Sequence, residues 1–104
     1  MMIIYSLSGP SGTGKSTSAL QFAHEQNIQA IIDDGLFIVN GEKVAGTSAK
    51  FEKNTLKAVR RAIFDDDVHK EEILKAIQSY EVKSILIIGT SDKMTKKIAA
   101  RLEL

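Results

Sequence analysis

An α/β fold with a short parallel sheet is what this 104-residue sequence predicts, and three observations predict it. Short apolar runs alternate with stretches of helical spacing, the pattern of strands joined by helical crossovers. A glycine-rich segment, Gly9 to Ser16, sits between the first such run and the first helix. An Asn40-Gly41 dipeptide between two short β-rich runs adds a hairpin to that alternation.

The elements follow in order. Residues 2–8 (Met2-Ile3-Ile4-Tyr5-Ser6-Leu7-Ser8) form an apolar run suited to a buried parallel strand. A helix follows from Lys15, with Ala19, Leu20 and Ala23 at helical spacing. Residues 29–34 read as a second short strand ending in Asp33-Asp34. Residues 36–39 and 42–45 flank Asn40-Gly41 as an inserted hairpin. Residues 49–64 read as a helix with Leu56, Val59 and Ile63 on its apolar face. Asp65-Asp66-Asp67 breaks that helix and caps the next, 68–80, whose apolar face is Ile73, Leu74, Ile77 and Tyr80. Residues 83–89 are the third core strand, and Thr90-Ser91 caps a last helix carrying Met94, Ile98 and Leu102. The expected architecture is a three-layer α/β fold: a short parallel sheet of three core strands between flanking helices, with an inserted hairpin.

Residues 9–16 read Gly-Pro-Ser-Gly-Thr-Gly-Lys-Ser, which is G-x-x-x-x-G-K-[ST]. That spacing suits a triphosphate. Gly9, Gly12 and Gly14 let the backbone curl without Cβ clashes, and the successive N–H groups of Ser11, Gly12, Thr13 and Gly14 form an anion-binding concavity. The helix that opens at the same place points its positive end there. Lys15 is placed to reach the β- and γ-phosphates, Ser16 to ligate Mg²⁺, and Thr17 closes the string. A strand before and a helix after are the context this motif requires, and both are present.

Residues 2–26 thus resemble the first strand-loop-helix unit of the P-loop NTPase superfamily. The string Gly9 to Thr17 is similar to the loop of guanylate-kinase-like and other small kinases, and the rest of the chain resembles bacterial ATP-binding proteins of unassigned function. The resemblance implies ATP, ahead of GTP, with Mg²⁺. It leaves two classes open: a phosphotransferase or NTPase, and a nucleotide-dependent switch with little turnover. Three core strands are few for a P-loop domain. Residues 1–104 therefore read as one domain, or as the N-terminal part of a larger one whose site is incomplete here.

Asp33 and Asp34 are the candidate acids. Ligands of open α/β sheets sit outside the strand C-termini, and no acid ends the third strand, so Asp33 is the candidate metal-supporting carboxylate, with Asp34 beside it. Asp-Asp-Gly is also ordinary turn chemistry. Lys50, Lys53, Lys57, Arg60 and Arg61 fall on one arc of a helix, a solvated face or a surface for phosphate or an acidic partner. Thr90, Ser91 and Asp92 cap a helix or face the nucleotide. Thr47-Ser48-Ala49-Lys50 and Thr90-Ser91-Asp92-Lys93 stand in the wrong order for guanine recognition, and the second lacks N/T-K-x-D. His24 and His69 lack metal spacing and read as surface residues.

Composition bounds the rest. A net charge of +1 gives no global field favouring nucleic acid. No cysteine means no disulfide and no thiol chemistry. No apolar run approaches a membrane span, and the first strand lacks a basic n-region. The expectation is a cytoplasmic protein with a nucleoside triphosphate as ligand and an unidentified small molecule or protein as partner.

Overall fold

The computed structural model describes residues 2–9, 15–49 and 52–104, with only the backbone of Lys15, Ser16 and Thr17. Its elements are β1 (Ile3–Ser8), α1 (Lys15–Glu25), β2 (Ala30–Asp33), β3 (Leu36–Val39), β4 (Glu42–Gly46), α2 (Thr55–Ala62), α3 (Asp67–Ser79), β5 (Ser84–Gly89) and α4 (Asp92–Arg101). The five strands form one mixed sheet in the order β1-β5-β2-β3-β4. The three expected core strands are its parallel part: β5 pairs in parallel with β1 on one side and β2 on the other. The hairpin does not stand apart from this sheet; β3 pairs antiparallel with β2, and β4 with β3.

Each face buries one side of the pleat. Ala30, Ile32, Ile85 and Ile87 point into a core closed by Phe64, Ile73, Ile98 and Leu102 from the α2–α3 connection, α3, α4 and the residue after α4. Ile31, Leu86 and Ile88 point the other way, against Ala19 and Ala23 of α1. Strand β5 is buried from Ile85 to Gly89, which explains its unbroken apolar run.

Two turns build the β2-β3-β4 meander, and they share one chemistry. Asn40 and Gly41 have φ of 52° and 84°, the expected type I′ pair. Asp34 and Gly35 have φ of 54° and 90°, so they make a second two-residue turn, between β2 and β3. Asp-Gly is as strong a hairpin signal as Asn-Gly.

Helix ends are capped by side chains. Asn54 Oδ1 accepts from Lys57 N at 2.8 Å, so α2 starts at Thr55, later than expected. The loop from β4 occupies residues that the sequence assigned to that helix, and its Ser48 and Ala49 are buried. Asp66 Oδ1 accepts from Val68 N at 2.8 Å and caps α3. Ser91 Oγ accepts from Met94 N at 3.2 Å and caps α4. The α2–α3 connection is fixed by Arg101, whose Nε donates to Phe64 O at 2.8 Å and whose Nη2 donates to Asp65 O at 3.0 Å and pairs with Asp67.

The helical periodicities err in two places. Leu56 and Val59 are 61 % and 51 % exposed, so the expected apolar face of α2 is only thinly covered and Ala62 is its buried residue. On α3, Tyr80 is half exposed, whereas His69 is 2 % exposed. The buried stripe of α3 is His69, Ile73 and Ala76, at helical spacing, with a polar residue in its first position. The expectation of a surface His69 is therefore corrected, while His24 is exposed as expected.

The glycines at the base of the meander cannot be replaced. A Cβ on Gly46 would lie 2.3 Å from Gly35 O, and one on Gly35 would lie 2.4 Å from Thr47 O. Gly41 meets nothing within 4 Å. Both Gly41 and Gly46 have positive φ, so each alanine variant bears a conformational cost of about 1 kcal/mol or more. Gly46→Ala adds a backbone clash and should cost roughly 3 kcal/mol or more, against about 1 for Gly41→Ala. Urea titration of both variants checks this; equal losses would refute the clash.

Candidate nucleotide-binding site

The C-terminal ends of β1, β5 and β2 lie side by side and define the site. Ser8 is level with Gly89, and Asp33 with Ile88. The Gly9 N–H donates to Gly89 O at 3.2 Å, so the chain leaves β1 still tied to β5. Helix α1 then begins at Lys15, as the motif requires. Ser11, Gly12, Thr13 and Gly14 lie outside the described residues, as do the side chains of Lys15, Ser16 and Thr17. The described residues that flank them are Gly9 on one side and the start of α1 on the other.

Strand β5 stands between the loop strand and the acid strand. Neighbouring strands are about 4.8 Å apart, so Asp33 is about two spacings across the sheet from β1. Alternation sets its direction. Ile31 faces α1 and Ile32 faces the opposite core, so Asp33 projects on the α1 side. That is the face on which the N-terminus of α1 opens. Asp33 is half-buried there.

Asp34 is held differently. Its φ of 54° turns it away from the strand. Its Oδ2 accepts from Ser48 Oγ at 3.1 Å, and its carbonyl accepts from Ala49 N at 2.8 Å. Asp34 thus pins the loop after β4 to the turn after β2. Its place in a turn matches the ordinary turn reading, and its backbone supports the position of Asp33 in the chain.

A second layer holds the turn from below. His69 Nε2 lies 2.7 Å from Gly35 O and 3.3 Å from Thr47 N. The ring stacks on Phe64 with centroids 4.6 Å apart. Glu72 Oε2 accepts from Gly46 N at 2.8 Å. Arg61 is half-buried; its Nε donates to Glu52 Oε1 at 3.2 Å, and its Nη1 is 3.9 Å from Asp66. Arg61 therefore leaves the basic face, which keeps exposed Lys53, Lys57 and Arg60; Lys50 lies outside the described residues.

The β5 end contributes two things. Ser91 is the cap of α4, and Asp92 Oδ1 accepts from Ser8 Oγ at 2.8 Å. Asp92 is thereby anchored at the root of the phosphate loop. Among the described residues no three acids or histidines converge as a metal cage. A nucleotide-bound Mg²⁺ needs none, since phosphates and water supply most of its ligands and one or two protein oxygens complete them. A hydroxyl at Ser16 with the Asp33 carboxylate is an oxygen donor set of that kind.

A phosphate-loop strand, a helix opening from it and a carboxylate on the same sheet face define a nucleotide-binding P-loop protein of α/β type. A family model for ATPases associated with various cellular activities (AAA) matches residues 5–103. The chain belongs to that family, and so to the nucleoside-triphosphate-binding P-loop NTPases. No curated protein and no solved structure matches the chain closely enough to add to this. Among the described residues no helix is long and apolar enough to cross a membrane.

The buried histidine makes stability depend on pH. Burial lowers the His69 pKa from its ordinary value, and Arg61 adds to the lowering. The bond to Gly35 and the carboxylates of Glu72 and Asp66 oppose it. The folded state thus keeps His69 neutral where the unfolded chain, with a pKa of about 6.5, takes up a proton. Its contribution is full above that pH and is lost as pH falls through the folded pKa. The gap in urea midpoint between wild type and His69→Gln should narrow as pH drops from about 7.5 to about 5.5. A gap constant over that range would refute it.

Proposed function

We propose that this chain binds Mg-ATP through Gly9, Ser11, Gly12, Thr13, Gly14, Lys15, Ser16 and Thr17, and hydrolyses it slowly. Lys15 holds the β- and γ-phosphates, Ser16 ligates Mg²⁺, and Asp33 supports the metal or its water. The observation that carries the reading is the placement of Asp33: it ends β2 on the sheet face where α1 opens. In this reaction water attacks the γ-phosphorus, the bond to the β–γ bridging oxygen breaks, and ADP and phosphate leave. The protein acts chiefly by positioning and by countering charge. Asp34 is a weaker candidate for the metal, because its positive φ carries it out of β2 into the turn.

Residues 1–104 act in this reading as one nucleotide-binding domain working in the cytoplasm. Transfer to a small acceptor in place of water uses the same phosphate and metal contacts and differs only in the nucleophile. A switch with little turnover is the second reading. Leu56 and Val59 favour it, since both are exposed beside Lys53, Lys57 and Arg60 on α2, a mixed apolar and basic surface suited to a protein partner.

Calorimetric titration with ATP and with GTP, each with and without Mg²⁺, followed by product analysis, tests the proposal. Lys15→Ala should weaken ATP binding at least ~100-fold, about 2.7 kcal/mol, with the fold intact. Unchanged affinity would remove the P-loop assignment. Asp33→Asn should reduce the Mg²⁺-dependent part of affinity, or turnover, about 10-fold more than Asp34→Asn. Identical behaviour of the two variants would end the preference for Asp33. ADP release with no added acceptor supports hydrolysis. Tight binding with negligible turnover supports the switch.

A further inference from the structure

We propose that His69 is a positioning residue for the nucleotide site: its Nε2–H holds the Gly35 carbonyl and so fixes the Asp34-Gly35 turn that follows Asp33 at the C-terminal end of β2. The inference rests on the reading of Asp33 as the metal-supporting acid. His69 touches neither acid; it acts through Gly35.

The tautomer follows from distance. At 2.7 Å from a carbonyl oxygen, Nε2 must carry the proton. The same nitrogen then cannot accept from Thr47 N, so the 3.3 Å contact is an approach and not a second bond. Nδ1 is left bare. Among the described residues it is a buried side-chain nitrogen without a hydrogen-bond partner. A buried acceptor without a donor is unfavourable, and an apolar ring would fill the space against Phe64 without one. What a histidine adds at this position is the hydrogen bond to Gly35 O.

That carbonyl sits at a crossing of two chain segments. The Gly35 backbone passes Thr47, and the Gly46 backbone passes Gly35 so closely that neither glycine has room for a methyl group. Asp34 continues the tie through Ala49 N and Ser48 Oγ. Asp34 and Gly35 both hold positive φ, the pair of a tight two-residue turn. His69 ties that turn to α3 through Gly35 O. Asp33 is the residue before this turn, paired with Ile88 and Leu36 at the end of β2, so the turn is the support on its C-terminal side.

Two variants separate the hydrogen bond from the packing. His69→Phe keeps a ring against Phe64 and removes the donor. His69→Gln places an amide N–H at about the reach of Nε2. The first readout is amide exchange in the nucleotide-free protein. In His69→Phe the Ala49 N–H should exchange ~10-fold faster, with Ile88 unchanged, and His69→Gln should restore most of the protection. The second readout is ATP affinity. In His69→Phe the gain on adding Mg²⁺ should fall about 10-fold, while Mg²⁺-free affinity stays within about 2-fold.

Ala49 exchange unchanged in a folded His69→Phe would overturn the proposal. So would equal loss of affinity with and without Mg²⁺, which is what general destabilisation gives. If wild type gains no affinity from Mg²⁺, the metal role of Asp33 fails, and Ala49 exchange still decides whether His69 holds the turn. Should His69→Phe not fold, His69→Gln and His69→Asn replace it. The shorter Asn amide falls short of Gly35 O and should lose the Ala49 protection that Gln keeps; equal protection in both would refute the role.

Discussion

The parallel pairing of β5 with both β1 and β2 is the constraint on which the rest of the molecule depends. Strand β5 is buried from Ile85 to Gly89, so its backbone groups need partners on both sides, and β1 and β2 provide them. This one arrangement sets the distance between the phosphate loop and the acid. It places Gly89 between Gly9 and Asp33, and it brings Asp92 to Ser8 at the loop's root. It also fixes which acid lies on the α1 face of the sheet, because the register carries the in-out alternation from Ile31 and Ile32 to Asp33.

The β2-β3-β4 meander adds a second constraint on the same acid. The two-residue turn at Asp34-Gly35 follows Asp33 directly, and Asp33 itself pairs with Ile88 and Leu36. The loop after β4 folds back over it and α3 props it from beneath, so the turn is held on two sides. The cost is visible in the residues used: positive φ at Asp34, two glycines without room for Cβ, and a buried histidine with one bare nitrogen. Local rules broken together at one place are what a site under geometric demand looks like.

Much of this was legible in the residues. The phosphate loop, the three parallel strands, the Asn40-Gly41 turn and the caps at Asp66 and Ser91 each rest on local chemistry that a few neighbouring residues decide. The Asp34-Gly35 turn carried the same signal as Asn40-Gly41. Its residues read both as a strand ending in acids and as ordinary turn chemistry, and the structure holds both: Asp33 ends β2 and Asp34-Gly35 turns. His69 was not legible, since polarity argued for the surface and only the stripe it shares with Ile73 and Ala76 argued against. The start of α2 was misplaced for a tertiary reason. Helical spacing is available from Ala49 onward, but Ala49 is tied to Asp34 O and Asn54 caps the helix only at Thr55. Strand order was beyond reach as well: no local pattern says that the last strand enters between the first two.

The two edges of the sheet bear differently on function. Strand β4 ends the sheet with Glu42 and Lys43 exposed and a register shift opposite Phe37 and Ile38, features that discourage further pairing. Strand β1 ends it with Ile-Ile-Tyr-Ser-Leu-Ser and no charge. The Ile3 N–H donates toward β5, so in a parallel ladder Ile4, Ser6 and Ser8 turn their backbone groups to the open side. The strand that carries the phosphate loop is therefore held within this sheet by one neighbour. Its seat depends on the β5 ladder, on Tyr5 packed edge-on against Phe22 of α1, and on Ser8 bonded to Asp92. Two of these contacts meet at the C-terminal end of β5. The end of β1, the end of β2 and the start of α4 thus all meet the chain between Ile88 and Asp92.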